Sequence, residues 1–405
     1  MTLKPTKPRM SWPWIDAKPK LIEKIKHQIK LDGKTYNLFF GDMHGHSWVS
    51  ADSWYNSPNR FYRYGKEVAK LDFCALTDHD HPRGLIKNKW PRIVNAAERN
   101  YLPQEFVTFI AFEWTSGMPE WARIPRLEKD KRREYYGHRN VYFPSSNVPD
   151  IMFSHQNPKY STPERLWDAI KQYGGISIPH HPLGGPVSPF RWDFFDEDVE
   201  PVVEIYSTHG NSEHMGCMHE IYNPKKGHSV QHALSKGLHF GFIASSDTHR
   251  GLAGNFTKAD FNITYTQKYF RSNIRPPGPG LAAVYAEELT RKSIFSAIKE
   301  KRVYAITGSR IALDVRANGH FMGSVIDADA KPVKVTINVK CPLLIHKIEV
   351  VKNNRVVKSY DKLNKEADLE FIDGEREREE DYIYIRVIQE DAQMAWSSPI
   401  WISSK

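Results

Sequence analysis

Four short segments of this chain carry imidazoles and carboxylates at spacings that suit a divalent metal. They are Gly41-Asp42-Met43-His44-Gly45-His46-Ser47 with Asp52 just beyond it, Leu76-Thr77-Asp78-His79-Asp80-His81, Ile178-Pro179-His180-His181-Pro182, and Ser245-Ser246-Asp247-Thr248-His249-Arg250. In extended backbone, residues i and i+2 point the same way, so His44 with His46, and Asp247 with His249, each aim two donors at one point. Imidazole and carboxylate together suit zinc, manganese or iron. Glu113 adds a carboxylate at the end of an apolar run, where it can bridge two cations and so set the nucleophile between them. Gly137-His138-Arg139-Asn140 adds a further imidazole. By itself His138 reads as an ordinary hydrogen-bonded residue, as do His81, His155, His209 and His214. That reading fails for His44, His46, His79, Asp247 and His249 together, because it gathers several costly polar groups at strand ends without compensation.

Each segment needs a strand that ends on it. The apolar runs predict strands at Tyr36–Phe40, Asp72–Leu76, Phe106–Phe112, Val141–Phe143, Gly175–Ile178, Val202–Ile205 and Phe240–Ala244. Helices are expected over Ser57–Ala69 and Thr162–Tyr173, which open on Ser-Pro and Thr-Pro, and over Lys225–Ser235 and Thr290–Lys299. This alternation predicts an α/β fold with a mainly parallel sheet or barrel, whose strand carboxyl ends build the site. Residues 1–30 read as an N-terminal arm ending in a short helix around Pro19 to Ile29, and 31–304 as the metal-binding unit. From 305 to 405 the pattern turns to strands alone: Ile311–Val315, Val333–Val339, Lys347–Val351, Arg355–Ser359, Leu369–Ile372, Tyr382–Gln389 and Pro399–Ile402. Asn-Asn, Asp-Gly and Asn-Gly turns separate several of them, which predicts a small all-β sandwich that supplies no metal ligand.

Composition sets the outer bounds. The chain has 405 residues, 40% of them hydrophobic and 12% aromatic, enough for packed cores. No apolar run is long enough to span a bilayer, and Met1 to Lys20 is rich in Pro and Lys without an apolar stretch, so a cytoplasmic protein is the expectation. The three cysteines, Cys74, Cys217 and Cys341, lie far apart, which argues against a disulfide framework and a thiolate zinc site. The net charge of +9 suits a small anionic substrate and leaves nucleic acid open as a partner. The densest basic stretch is Arg123 to Arg139, read first as a solvated loop and second as an anion-attracting rim.

Taken in order, these segments resemble the PHP (polymerase and histidinol phosphatase) superfamily: an HxH after the first strand, a TDH after the second, a Glu after the third, a His after a middle strand and a late DxH. The resemblance runs from Leu38 to Arg250. Within the superfamily the chain is similar to the DUF3604 group and to the CehA/McbA-like metallohydrolases, sharing Phe-Gly-Asp-x-His, Phe-Glu-Trp, Gly-His-Arg-Asn-Val, Ile-Pro-His and Glu-x-Tyr-x-x-x-Gly-Asn-Ser-Glu. The resemblance implies a distorted (β/α)7 barrel that holds two or three divalent transition-metal ions. It implies that His44 and His46 bind one metal with Glu113 and Asp247. It implies that Glu113 bridges to a second, held also by His138 and by His180 or His181, and that Asp52, His79 and His249 hold a third. The Ile-Pro-His form favours His180, while a His-Pro motif selects His181. Asp42 and Asp78 are expected to orient imidazoles. The 117–137 insertion, with Trp121, Arg123, Arg126 and Tyr135, is a lid or a surface excursion.

A metal-dependent hydrolase follows, with a phosphoester as the favoured substrate because clustered cations generate hydroxide at neutral pH and neutralise phosphoryl charge. Glu113, Asp247 and His249 are the catalytic candidates, with Arg139, Arg250 and Arg310 as candidate phosphate clamps. The alternatives are a carboxyl ester, carbamate or amide hydrolase of the CehA type, and a catalytically silent binding module.

Overall fold

The structure is a computed structural model and describes residues 26–50, 52, 53, 55–80, 86–116, 135–185, 189–254, 277–327 and 332–403. Most of the arm, His81, and Trp121, Arg123 and Arg126 of the insertion lie outside the described residues. The helix expected up to Ile29 does not reach that far, because β1 (Gln28–Leu31) pairs antiparallel with β2 (Lys34–Asp42).

The architecture is mixed α/β around a large sheet. Strands β2, β3 (Phe73–Ala75) and β4 (Val107–Thr115) run parallel side by side. Strand β5 (His138–Phe143) is antiparallel to both β4 and β6 (Ile176–Pro179). A second sheet pairs β7 (Val202–Ser207) with β8 (Gly210–Asn211) and with β9 (Gly241–Ala244). Among the described residues the ladders do not close into a barrel. Strand β6 meets the approach to β7 through Ser177 N–H donating to Val199 O, and the end of β9 meets that of β2 at a Gly45–Thr248 bridge. Strands β3, β4, β6, β7 and β9 are buried along their length and mostly apolar, as strands covered on both faces must be.

Helices pack where the caps forecast them. Ser57 caps α1 (Pro58–Glu67) by accepting from Arg60 N–H, and Phe61, Tyr62 and Gly65 face the core. Helix α2 (Ile86–Asn100) escaped the sequence reading because Pro91 sits inside it, but Trp90, Ile93, Ala96 and Ala97 bury one face and offset the missing backbone donor. Helices α3 (Pro163–Lys171), α4 (Val230–Ser235) and α5 (Arg291–Lys299) follow. Among the described residues no helix is long and apolar enough to cross a membrane.

Strand β10 (Leu281–Ala286) pairs antiparallel with β2 and with β11 (Val303–Ile306). Beyond β11 every regular element among the described residues is a strand. Strands β12 (Ala312–Ala317), β13 (His320–Phe321), β15 (Val333–Lys340) and β18 (Glu366–Asp373) form one sheet. In β15 Val333, Val335, Ile337 and Val339 alternate inward, the period-2 pattern of a sheet with one wet face. The others, β14 (Val325–Asp327), β16 (Ile345–Lys352), β17 (Arg355–Leu363), β19 (Glu380–Gln389), β20 (Met394–Ser397) and β21 (Ile400–Ser403), extend the large sheet, because β20 pairs with β11.

The two halves also share a core. One buried apolar cluster runs from Phe40 and Tyr285 through Tyr304 to Ile348 and Val387. At the seam Trp396, fully buried, stacks on Tyr206 at 6.0 Å and donates its indole N–H to Glu213 Oε2 at 2.9 Å. Trp396→Ala is therefore expected to destabilise the whole fold by about 3–5 kcal/mol, in a single transition measured by urea unfolding. A loss below about 1 kcal/mol, or a second separate transition, would refute a shared core.

Candidate metal centre

Two loops at the ends of β2 and β9 clasp each other. Asp247 N–H donates to His44 O at 2.9 Å and His46 N–H to Thr248 O at 2.8 Å. Gly45, between the two histidines, passes so close to Phe61 that a Cβ would sit 2.5 Å from its ring, which explains a glycine there. Asp42 and Asp78 do not touch an imidazole, contrary to expectation; they hold loop backbone instead. Asp42 accepts from Ser246 N–H at 2.9 Å, its hydroxyl at 2.6 Å and Gly254 N–H at 2.6 Å. Asp78 accepts from Ser47 N–H at 2.7 Å and from the Ser47 and Ser50 hydroxyls at 2.8 and 2.9 Å. Ser50 relays this order inward: its Oγ lies 3.2 Å from His46 Nδ1 and accepts from His79 N–H at 3.0 Å. With its proton given to Asp78, Ser50 must accept from His46 Nδ1–H, which leaves the His46 Nε2 lone pair free.

The donors converge. Metal bonds of about 2.1 Å at angles of about 90–109° place neighbouring donors about 3.0–3.4 Å apart. His44 Nε2 and His46 Nε2 each lie 3.4 Å from Glu113 Oε2, and 3.3 and 3.1 Å from Asp247 Oδ1. The other Glu113 oxygen, Oε1, faces His138 Nδ1 at 2.7 Å, His79 Nδ1 at 3.2 Å and His180 Nε2 at 3.5 Å. Asp52 Oδ2 lies 3.0 Å from His79 Nε2 and 3.2 Å from His249 Nε2. Groups whose donor atoms all fall within 4.8 Å of one another include His44, His46 and Asp247; His44, Glu113 and His180; His138, His180 and His181; and His46, His79 and His249. Both His180 and His181 thus face the cluster, and His180 alone of the two also reaches His44 and Glu113.

A cation fits this set. His138 Nε2, both nitrogens of His180 and His181 Nδ1 are buried and make no hydrogen bond, a costly state that metal ligation relieves. Considered by the protein's charges alone, the carboxylates hold protons on the imidazoles. Burial would depress His44 and His79, yet Asp247 and Glu204 raise the first, and Asp52 and Glu113 the second, well above the usual value. His249 rises to about 9 against burial, through Asp52. Glu113, Asp52 and Asp247 fall well below the usual carboxylate range, burial notwithstanding, because imidazoles face them. Burial and neighbouring imidazoles push His46 and His180 down to about 3.

Three residues differ from expectation. Glu113 lies inside β4, not beyond its end, opposite Asn140 of β5. Arg139 is turned away, because along β5 His138 and Asn140 share the cluster's face and Arg139 takes the other. Fully buried, it donates to Glu200 Oε1 at 2.7 Å, Tyr136 O and Phe194 O, so it clamps no substrate. Arg310 donates to Ala69 O and Lys70 O, remote from the cluster. Arg250 stays at the rim, half-buried beside His249, with its guanidinium 5.6 Å from the centre of the Tyr55 ring.

Glu204, which the sequence reading left out, and His209, which it read as an ordinary hydrogen-bonded residue, both reach the cluster. Glu204, fully buried and raised to about 7 by burial, lies 3.1 Å from His44 Nδ1 and fixes that ring. His209 reaches Asp247. Both stand in the Glu-x-Tyr-x-x-x-Gly-Asn-Ser-Glu stretch, whose Glu and adjoining His were the available signal.

The family model described as a protein of unknown function (DUF3604) matches residues 64–182 and 223–338, more than half of the chain. Uncharacterised proteins of Chlamydia muridarum and Chlamydia pneumoniae are 30% and 25% identical over 394 and 390 residues, 90% of this chain. The chain spans 57% of the length of each. A solved two-domain protein from Bacteroides vulgatus, described as containing a predicted PHP-like metal-dependent phosphoesterase, is similar at 15% identity and a TM-score of 0.46, over 93% of this chain and 99% of that one.

Because His44, His79 and His249 carry raised proton affinity, a cation must displace protons to bind. Zinc titration is expected to release protons near neutral pH, and the apparent affinity to fall as the solution is acidified. Calorimetry in buffers of different ionisation enthalpy measures both. Binding without proton release would refute this charge balance.

Proposed function

Because the chain belongs to the DUF3604 family, whose function is unknown, its activity has to be argued from the cluster, and we propose a metal-dependent hydrolase that cleaves phosphoester bonds. The observation that carries the proposal is the division of the Glu113 carboxylate: Oε2 faces His44 and His46, and Oε1 faces His79, His138 and His180. A buried carboxylate with imidazoles on both oxygens is what a bridge between two cations requires.

Zinc, manganese or iron ions would be held by His44, His46, Glu113 and Asp247, by Glu113, His138 and His180 with His181 beside it, and by Asp52, His79 and His249. Bound there, two or three such ions would supply Lewis acidity toward a phosphoryl oxygen and lower the pKa of water. The chain's own residues do the rest. Glu204 holds His44 through Nδ1, and Ser50 holds His46 through Nδ1, so both rings present Nε2 inward. Thr115 Oγ1, 2.8 Å from His79 Nδ1, steadies that ring. The apolar walls of β4, β6 and β9 keep bulk water from the cluster. Arg250, at the rim beside His249, is placed to attract a small anionic substrate.

In this reading the strands β2 to β7 and β9 form the distorted (β/α)7 barrel that the PHP resemblance implies, residues 31–304 are the catalytic unit, and residues 305–405 support it. The site of action is the cytoplasm.

Paired phosphomonoester, phosphodiester, carboxyl-ester and carbamate substrates test the reaction class on metal-loaded protein. Phosphoester cleavage is expected; turnover of carboxyl esters or carbamates alone would select the CehA-like reading, and no turnover of any with metal bound would select a silent binding module. Glu113→Gln keeps the shape and removes the charge. It is expected to lower kcat by at least about 100-fold, beyond the 10- to 100-fold typical of outer partners, with little change in KM. Near-normal kcat with full metal content would refute the bridging role.

A further inference from the structure

Asp247 divides its oxygens much as Glu113 does. Its Oδ1 serves His44 and His46, while Oδ2 lies 2.9 Å from His209 Nε2. At that separation an ordinary pair would be a good hydrogen bond. Yet His209 Nε2, buried, is left without a hydrogen-bond partner. A separation of 2.9 Å is close to the spacing of neighbouring ligands on one ion. The third donor is His249: a nitrogen of its ring, the His209 nitrogen and an Asp247 oxygen all lie within 4.8 Å of one another. We infer that His209, Asp247 and His249 form a further cation seat on the solvent side of the cluster, so that Asp247 as well as Glu113 serves two cations. The inference rests on the metal-dependent reading proposed above.

The surroundings of His209 suit a ligand. Its Nδ1 is 3.1 Å from the Tyr222 hydroxyl, the outer partner that orients a ligating imidazole and, when Nδ1–H is the donor, leaves the Nε2 lone pair free for a cation. The loop that carries it is fixed. Gly210 adopts φ 122°, and a Cβ there would meet Ile221 N at 2.8 Å, so only glycine permits the turn that follows His209. Asn211 N–H donates to His219 O at 2.7 Å. Glu213, fully buried, accepts from Tyr384 hydroxyl at 2.5 Å, Arg386 Nη1 at 2.6 Å and Trp396 Nε1 at 2.9 Å, which ties the loop to the C-terminal strands. Holding the ring in place beforehand removes an ordering cost from metal binding.

The seat is also open, as is that of Asp52 and His249. His209 and His249 are 16% and 33% exposed, whereas His44, His46 and His180 are at most 1% exposed. A site with few protein ligands and a solvent-facing side keeps positions for water or substrate, the arrangement of a catalytic rather than a structural ion. Residues 183–222, which include His209, fall between the two segments that match the family model, so nothing in that match assigns this residue a part.

Zinc alone is the probe, titrated into chelator-treated full-length protein and followed by calorimetry and by elemental analysis after gel filtration. His209→Gln is the informative variant, because its amide can donate a hydrogen bond to Asp247 but is a poor ligand. It is expected to lose one equivalent of zinc, or to bind the last equivalent at least about 10-fold more weakly, with an unchanged thermal melt of the metal-free protein. Tyr222→Phe is expected to keep the stoichiometry and weaken the same equivalent. If the wild type binds zinc and His209→Gln binds the same number of ions with the same affinities, His209 is only a hydrogen-bonding neighbour of Asp247 and the seat is overturned. If the wild type itself binds no zinc, the metal-dependent reading fails first.

Discussion

Everything at the centre of this molecule follows from placing Glu113, Asp247 and Glu204 where water cannot reach them, each at most 4% exposed. An ionised carboxylate in such surroundings is costly unless a positive partner stands within a few ångströms. The fold answers by bringing rings from six chain segments to the same point: the β2, β3 and β9 ends, β5, the β6 end and the turn after β7. Without cations, protons on His44, His79 and His249 balance the charge. With cations, the same rings exchange protons for coordinate bonds.

Much of this was legible in the sequence because it is local. The pairs His44/His46 and Asp247/His249 were found by their i, i+2 spacing, although at Asp247 the backbone is left-handed at φ 51° and not extended. The strands ending on those segments announced themselves by apolar runs, and the Ser-Pro start of α1 by its cap. What was lost depended on distant neighbours. Arg139 reads as an anion clamp until its register on β4 and β6 turns it to Glu200. Asp42 and Asp78 read as partners of imidazoles until the loops they hold are seen to need their backbone satisfied. Helix α2 was hidden by Pro91, whose local penalty is outweighed by a buried face that only packing reveals. The boundary at residue 304 follows a real change from helices to strands, but hydrogen bonding does not respect it, since β11 and β20 pair across it.

Backbone strain collects at the same place. Asp247 has φ 51° and His181 φ 35°, left-handed conformations that few residues other than glycine adopt at low cost. Both sit directly beyond a strand, where an extended continuation would send the side chain away from the cluster. The clasp between His44 O and Asp247 N–H holds the first of these turns in place. Here the packing of the whole sheet is spent on the direction of one carboxylate.

The seam between Glu213 and the C-terminal strands bears on how such a protein can change over generations. A carboxylate buried against Tyr384, Arg386 and Trp396 ties one position to three others at least 171 residues further along the chain, as one inheritable unit. Recombination that swaps the last hundred residues for those of a distant relative would strand a buried charge beside the loop of His209. Divergence must therefore proceed by matched substitutions on both sides of the seam, and the two halves of the chain are constrained to evolve together.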